Sequence, residues 1–470
     1  MILNARANHR PHWLIGAGFG LYAAVIALAP TLAAKAILVA PLVLVPLLWV
    51  LLSSSTAWVS LFFLCALLSP PLPIALGDSG PHIALLLAAA GLFIGLLRLA
   101  EWRFHADALS ISLLALWAIL AASVGWAALY SGISIAAGSF ARVLLFGISI
   151  YVFLYTRAGP GLHDSARGFR MIRLLFWAAA ASALFACVDF YFQFPAPAGY
   201  EPQFIWLESG VYRRAQGVFY EASTLGNLCA FFLEMIAVAL FRPKQAQPLS
   251  RIALLAGGAA FAAALVLSFS RGSLVNCAVA LIVLLWLHRK KLRWGRLLAG
   301  IAISTAGAAA LLFTAFPIFA GVAWLRVSAA FQFFSESPNM VLSGRLESWQ
   351  TLVDFLLANP WHALIGVGYK TLPYSDFIGT RAIGDNTYLT FLAETGILGL
   401  TGVLALNAAI LMVAYRAARS PTALQSFCGA WMLCFWAGQS VQMFSADLLT
   451  YWRILPVYFF VLALAARQEA

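Results

Sequence analysis

Long apolar runs recur along the whole chain, separated by short polar breaks. Each is close to the 20 or so residues that a helix needs to cross the hydrocarbon of a bilayer. On that ruler roughly fourteen spans are predicted. They are centred near Tyr22, Leu44, Leu64, Ala90, Ile119, Phe146, Ala180, Phe231, Ala260, Val279, Ala308, Leu400, Leu433 and Val457. Pro30, Pro41, Pro46, Pro70, Pro71 and Pro73 are expected to break the first four runs, because proline removes a helix hydrogen bond. The fold class expected is all-α, a polytopic membrane helical bundle forming a single integral membrane domain over 1–470. The longest polar interruption, 321–385, is expected as a loop outside the membrane. Within it Leu346, Trp349, Leu352, Val353, Leu356 and Leu357 repeat at helical spacing until Asn359-Pro360 stops the run. That pattern predicts a short amphipathic helix at the membrane–water interface.

Composition agrees with the pattern: 63% of residues are hydrophobic and only 10% charged, and the mean hydropathy is +0.91. A soluble domain carries roughly 25% charged residues. The formal net charge of +12 does not indicate nucleic acid, since most basic residues lie in short loops between apolar runs. They cluster at Arg98/Arg103, Arg157/Arg167/Arg170/Arg173, Arg242/Lys244/Arg251, His288 to Arg296, Arg416/Arg419 and Arg467. Every cluster falls on the cytoplasmic side of an arrangement with both termini inside. The loops at 77–81, 131–137, 194–216, 270–272 and 323–385 then face outward, with Lys35 and Arg453 as isolated exceptions. Arg6 and Arg10 precede an apolar run that reads as an uncleaved first helix. The six cysteines sit in or beside apolar runs without CxxC or nearby His, which indicates neither metal nor disulfide.

Outward-facing arginines run against this charge bias, and four stand out: Arg142, Arg214, Arg271 and Arg345. Arg271 is expected at the start of a span, where exposed N–H groups and the helix dipole already favour an anion. A guanidinium there adds bidentate donors suited to phosphate. Arg142 is expected about one turn inside a span, where a charge faces a cavity or a partner. For both, the plainer alternative is a side chain reaching up to lipid headgroups. Arg214 and Arg345 either contact substrate or pair with Glu201, Glu208, Glu221 or Glu347. Arg326 and Arg381 carry no readable motif, and Glu234, in the middle of a span, has no assigned role. Asp385 with Asn386 opens a membrane helix, so it reads as an N-cap or as a base that takes a proton from a sugar hydroxyl. The two roles are compatible.

An ordered set of residues resembles the O-antigen ligase and polymerase superfamily of bacterial membrane glycosyltransferases. It comprises R-x-x-G-x-F from Arg214 to Phe219, Ser270-Arg271-Gly272, Arg345-x-x-x-Trp349, Gly366-x-Gly368, and Asp385-Asn386 followed after nine residues by Gly396-x-x-Gly399. The resemblance implies a GT-C-like helical fold in the cytoplasmic (inner) membrane with a periplasmic active site. It implies a glycan donor on undecaprenyl pyrophosphate, no nucleotide sugar and no obligatory metal. The acceptor is a glycan or lipid A core, and a chain-length regulator and a flippase are implied partners alongside membrane lipids. The family's pyrophosphate-holding arginines correspond best to Arg142 and Arg271 and more loosely to Arg214. Where the ligases have a catalytic histidine this chain has Asp385, which favours a polymerase over a lipid A core ligase. The competing class is a lipid-linked oligosaccharide flippase. Such transporters carry paired repeats and midplane sites, and no fixed-period repeat is present in this sequence.

Overall fold

The computed structural model describes residues 12–54, 56–72, 81–159, 165–196, 203–207, 210–243, 247–290, 345–379 and 381–467, with isolated positions between 291 and 344. The chain forms two compact units, Met1–Trp58 and Val59–Ala470. In the first, α1 (His12–Leu28) packs on α2 (Leu32–Ser53), and the Tyr22 hydroxyl donates to the Leu38 carbonyl at 2.6 Å. Thr31 caps α2 by accepting the Ala34 N–H. Contrary to the expected break, α2 runs through both Pro41 and Pro46. Apolar spans tolerate proline where local adjustment and neighbouring groups satisfy the freed carbonyls.

The second unit begins within α3 (Ala57–Leu68) and continues through α4 (Ile83–Leu97), α5 (Ala108–Ser131), α6 (Ile133–Ala158) and α7 (Ser165–Phe192). A two-stranded antiparallel ribbon follows, β1 (Phe204–Leu207) and β2 (Gly210–Arg213), with Phe204 opposite Arg213. This small ribbon departs from a purely helical expectation. Next come α8 (Ala222–Leu240), α9 (Arg251–Leu267), α10 (Arg271–His288), α11 (Arg345–Ala358), α12 (Pro360–Ile365), α13 (Thr387–Ala418), α14 (Ala423–Gln442) and α15 (Leu455–Ala465). The span centre expected at Ala308 lies outside the described residues, as do Arg326 and most of the loop before α11; the other expected centres fall inside helices.

Among the described residues, six helices are long and apolar enough to cross a membrane: α5, α6, α7, α8, α10 and α13. Leu86 and Leu92 on α4, Leu129 on α5 and Ile282 on α10 are exposed. Apolar side chains turned outward in this way suit lipid. By contrast α15, apolar on every face, is buried along its whole length, and α14 along most of it, with its buried Gln439 and Gln442 accepting from Asn227 and Asn276. α14 packs against α8, α10, α13 and α15 and so forms the centre of the bundle.

The loop expected at 131–137 contracts to Gly132, which joins α5 to α6 with φ of 87°. The predicted amphipathic helix is present as α11. Its Leu352 and Leu356 pack into a cluster with Val367, Leu372, Ala382 and Ala393, while Leu357 on the other side stays exposed.

Two glycines let α12 and the turn after it lock against α13. The last turn before Gly396 is separated from the rest of α13 by that glycine's φ of 69°. A Cβ on Gly396 would lie 2.2 Å from the Leu364 carbonyl oxygen, and one on Gly366 (φ 77°) 2.2 Å from that of Glu394. Across this contact Val367 N donates to Ala393 O at 3.1 Å and Gly368 N to Glu394 O at 2.8 Å. The buried Glu394 carboxylate then accepts the Lys370 and Leu372 N–H groups. The Gly366-x-Gly368 and Gly396 motifs thus hold the 366–372 segment against the helix that Asp385 precedes.

Candidate functional site

The candidate site is assembled from four turns. The first follows β2. Arg213 points inward to Asp189 at 2.5 Å, and the next residue, Arg214, goes the other way, its Nε donating to the Ser268 carbonyl at 2.8 Å. Ala215 N also bonds to Leu267 O. The ribbon is thereby sewn to the end of α9, and Phe269, in the left-handed region at φ 51°, swings the chain directly into Arg271 at the start of α10. The Ser270 hydroxyl engages Ser273 at 2.8 Å and makes no cap bond to the first turn.

The second turn carries the Arg-x-x-x-Trp motif. Arg345 and Trp349 stand one helical turn apart on the same face of α11. Trp349 Nε1 donates to the Gly384 carbonyl at 2.6 Å, which fixes α11 against the residue before Asp385. Arg345 Nε then lies 3.2 Å from Asp385 Oδ2, with both side chains partly open to solvent.

The third turn, Asp385-Asn386, separates the two roles that the sequence leaves joined. Asn386 is the cap, its Oδ1 accepting the Leu389 N–H at 3.1 Å. Asp385 precedes the cap in a left-handed conformation, φ 40°, a region where Asp is several-fold enriched. Its carboxylate is therefore left to Arg345. Thr387 binds the turn just after α14 through Met443 O and Ala446 O, which brings in the fourth turn. There Asp447 ion-pairs with the Lys370 ammonium.

Electrostatics connects these groups. Arg214 is within Coulombic reach of both Arg345 and Arg271, and Arg271 of Arg345, so three predicted arginines crowd one region. Burial pulls the Arg214 guanidinium below its ordinary value, Tyr451 opposes the shift, and the two neighbouring arginines reinforce it. Burial raises Asp385 above the usual carboxylate value against the opposing pull of Arg345, with Asp447 adding to the rise. Burial raises Glu221 as well, although the Thr224 hydroxyl bonds to it at 2.6 Å. For Lys370 burial acts downward, but Asp447 and Glu394 outweigh it and leave the ammonium above its ordinary value.

Arg214, Arg271, Arg345 and Asp385 are thus brought together. Arg142 joins only at the margin: its guanidinium lies 4.4 Å from the centre of the Tyr374 ring and within charge range of Lys370. It sits about two and a half turns into α6 rather than one, because α6 begins right after Gly132. Lys370, Asp447 and Tyr451, with no motif around them to mark them, were missed, and Glu221 was named only as a pairing partner of Arg214 or Arg345; their places depend on turns that meet only in the fold.

Residues 256–404 match the family model described as O-Antigen ligase. The superfamily resemblance read from the residue pattern is supported over that stretch. The O-antigen ligase match covers less than half of the chain. It contains Arg271, Arg345, Asp385, Gly366, Gly368, Gly396 and Gly399, and it leaves Arg142 and Arg214 outside. No curated protein matches the chain. Together the match and the apolar helices describe a multi-pass helical membrane protein that is similar, over residues 256–404, to the O-antigen ligase family.

Proposed function

We propose that this protein is a membrane glycosyltransferase that joins undecaprenyl-pyrophosphate-linked repeat units into O-antigen or exopolysaccharide. In this reading the bundle is GT-C-like, with about fourteen spans, in the bacterial inner membrane. Its termini are cytoplasmic and the arginine cluster is periplasmic. The observation that carries the proposal is the crowding of Arg214, Arg271 and Arg345 beside Asp385. Three cations held in one partly buried place repel one another, and a polyanion such as pyrophosphate relieves that repulsion.

The chemistry follows from the groups in place. An acceptor sugar hydroxyl attacks the anomeric carbon of the lipid-linked glycan, a new C–O bond forms, and the bond from that carbon to the phosphate oxygen breaks. The pyrophosphate leaves with the bonding electrons, and Arg271, Arg214 and Arg345 stabilise its growing charge. The hydroxyl is far too weak an acid to ionise beforehand, so its proton passes to Asp385 during the attack. Burial of Asp385 makes it a stronger base than an ordinary carboxylate. Arg142, over Tyr374 and near Lys370, is assigned to the glycan or phosphate approaching from the α6 side.

Ligation to lipid A core is the second reading, favoured by the description of the matching family model. Reconstitution with a lipid-linked repeat unit tests the proposal. Longer lipid-linked glycan is expected from wild type, and Asp385→Asn is expected to lose roughly 10²- to 10⁴-fold in rate, the range for a general base. Transfer to added lipid A core without chain growth would move the assignment to a ligase. Translocation without any transfer would sink the enzyme reading in favour of a flippase.

A further inference from the structure

α8, α10 and α13 all begin beside the arginine cluster, just after Glu221, at Arg271 and just after Asp385, and run away from it. The 18 residues of α10 rise about 27 Å at 1.5 Å per residue, close to the thickness of a bilayer's hydrocarbon layer. Where the far ends of these three helices meet α14, a cavity of about 630 Å³ opens. Its mouth carries Arg242, His288, Arg289, Lys290 and Arg419, and among the described residues no acidic one lines it. Its floor reaches Val238 and Ala430, both buried. The walls include Phe241 and Trp286, which are partly exposed.

Arg242 is fixed in place. Its guanidinium donates to Ser426 Oγ at 2.9 Å and to Ala423 O at 3.3 Å, and it lies 5.4 Å from the Phe427 ring centre. Arg289 and Arg419 lie over Trp286 and Tyr415 at 5.5 and 4.1 Å. Basic residues at helix C-termini complement the helix dipole and follow the topological charge bias. Those two effects account for the charge, but not for a cavity that descends past it to apolar residues.

We propose that this pocket binds an anionic phospholipid of the leaflet opposite the arginine cluster, with its phosphate among Arg289, Lys290 and Arg419 and an acyl chain along Trp286 and Phe241. A phosphodiester matches the guanidinium donors, and basic pockets between membrane helices bind anionic headgroups in this way. The apolar floor and the aromatic wall favour a ligand with a tail over a free anion. This inference is independent of the glycosyl-transfer reading and stands if that reading fails.

The full-length protein is purified in detergent, and retained phosphatidylglycerol and phosphatidylethanolamine are counted by native mass spectrometry. Wild type is expected to prefer phosphatidylglycerol. The triple variant Arg289→Gln, Lys290→Gln, Arg419→Gln keeps Arg242 and its helix-bridging bonds, and is expected to lose that preference by about tenfold or more. A control with the same loss of charge on exposed positions of α7, Arg167→Gln, Arg170→Gln, Arg173→Gln, is expected to keep it. Equal loss in both variants would mean general charge attraction and would overturn the proposal. Millimolar inorganic phosphate is the second probe. Retention of the lipid in its presence supports a tailed ligand, and full displacement would assign the pocket to a free phosphate and overturn the lipid.

Discussion

Arg213 and Arg214 are neighbours in the chain, yet their guanidinium groups serve different regions. Arg213 turns into the bundle, where Asp189 lies 2.5 Å away and the Phe194 carbonyl also accepts from it. Arg453 is held in the same manner, donating to the carbonyls of Ala66, Ser69 and Val218 with the Phe219 ring 4.7 Å beneath it. These arginines are surrounded by acceptors and tie helices to loops. Arg214, Arg271 and Arg345 instead stand within charge range of one another. The difference teaches that burial of an arginine is not by itself a functional sign in this protein. What distinguishes the candidate site is that three arginines stand within charge range of one another.

The sharpest way to break that comparison is to truncate one arginine from each set. Arg213→Ala leaves Asp189 as a buried carboxylate without its cation, a change that costs about 3–5 kcal/mol of stability. A large fall in the thermal midpoint and in yield is expected. Arg271→Ala is expected to leave the midpoint near wild type while lowering glycan transfer by about 10²- to 10³-fold, as for loss of one transition-state donor. Thermal unfolding in detergent and the reconstituted transfer assay read the two effects separately. Equal destabilisation by both substitutions would erase the distinction.

A smaller effect sharpens the site itself. Arg345 pulls Asp385 downward against the rise caused by burial, so removing the arginine lets the carboxyl rise further. A base acts when deprotonated, and its rate therefore falls as pH drops through its pKa. Arg345→Gln is expected to move the acid limb of the pH–rate profile to higher pH, besides lowering the plateau. A limb that stays in place, or moves to lower pH, would show that Arg345 does not tune the base.

Much of this arrangement was legible because it lies in short stretches. Arg345 and Trp349 mark one face of a helix by spacing alone, and the helix at Arg345–Ala358 is present. The glycine motifs were legible as part of the residue set that carries the resemblance, although not that 366–368 and 396 approach each other. Other features depended on distant contacts. Lys370 meets Asp447 only because α12 locks against α13 and Thr387 binds the turn after α14. Neither residue has a local pattern that announces this. The depth of Arg142 was misjudged because a single glycine, Gly132, replaces a loop. The strand pair at Phe204–Leu207 and Gly210–Arg213 is too short to give a clear period in so aromatic a segment.

The smallest predicted effect separates the two halves of the Asp385-Asn386 pair. Asn386 accepts the Leu389 N–H and caps α13, whereas Asp385 faces Arg345. Asn386→Ala should cost about 1 kcal/mol, the usual value of an N-cap, and a modest fall in thermal midpoint is expected with most transfer retained. Asp385→Asn keeps a residue type that tolerates the left-handed backbone at this position, so its midpoint should hold while transfer is lost. If instead Asn386→Ala abolished transfer and Asp385→Asn did not, the chemistry would belong to the amide and the carboxylate would be the structural member. A fall confined to the midpoint for Asn386→Ala and a fall confined to transfer for Asp385→Asn are the expected results, because a cap acts on its helix and a base acts on the acceptor hydroxyl.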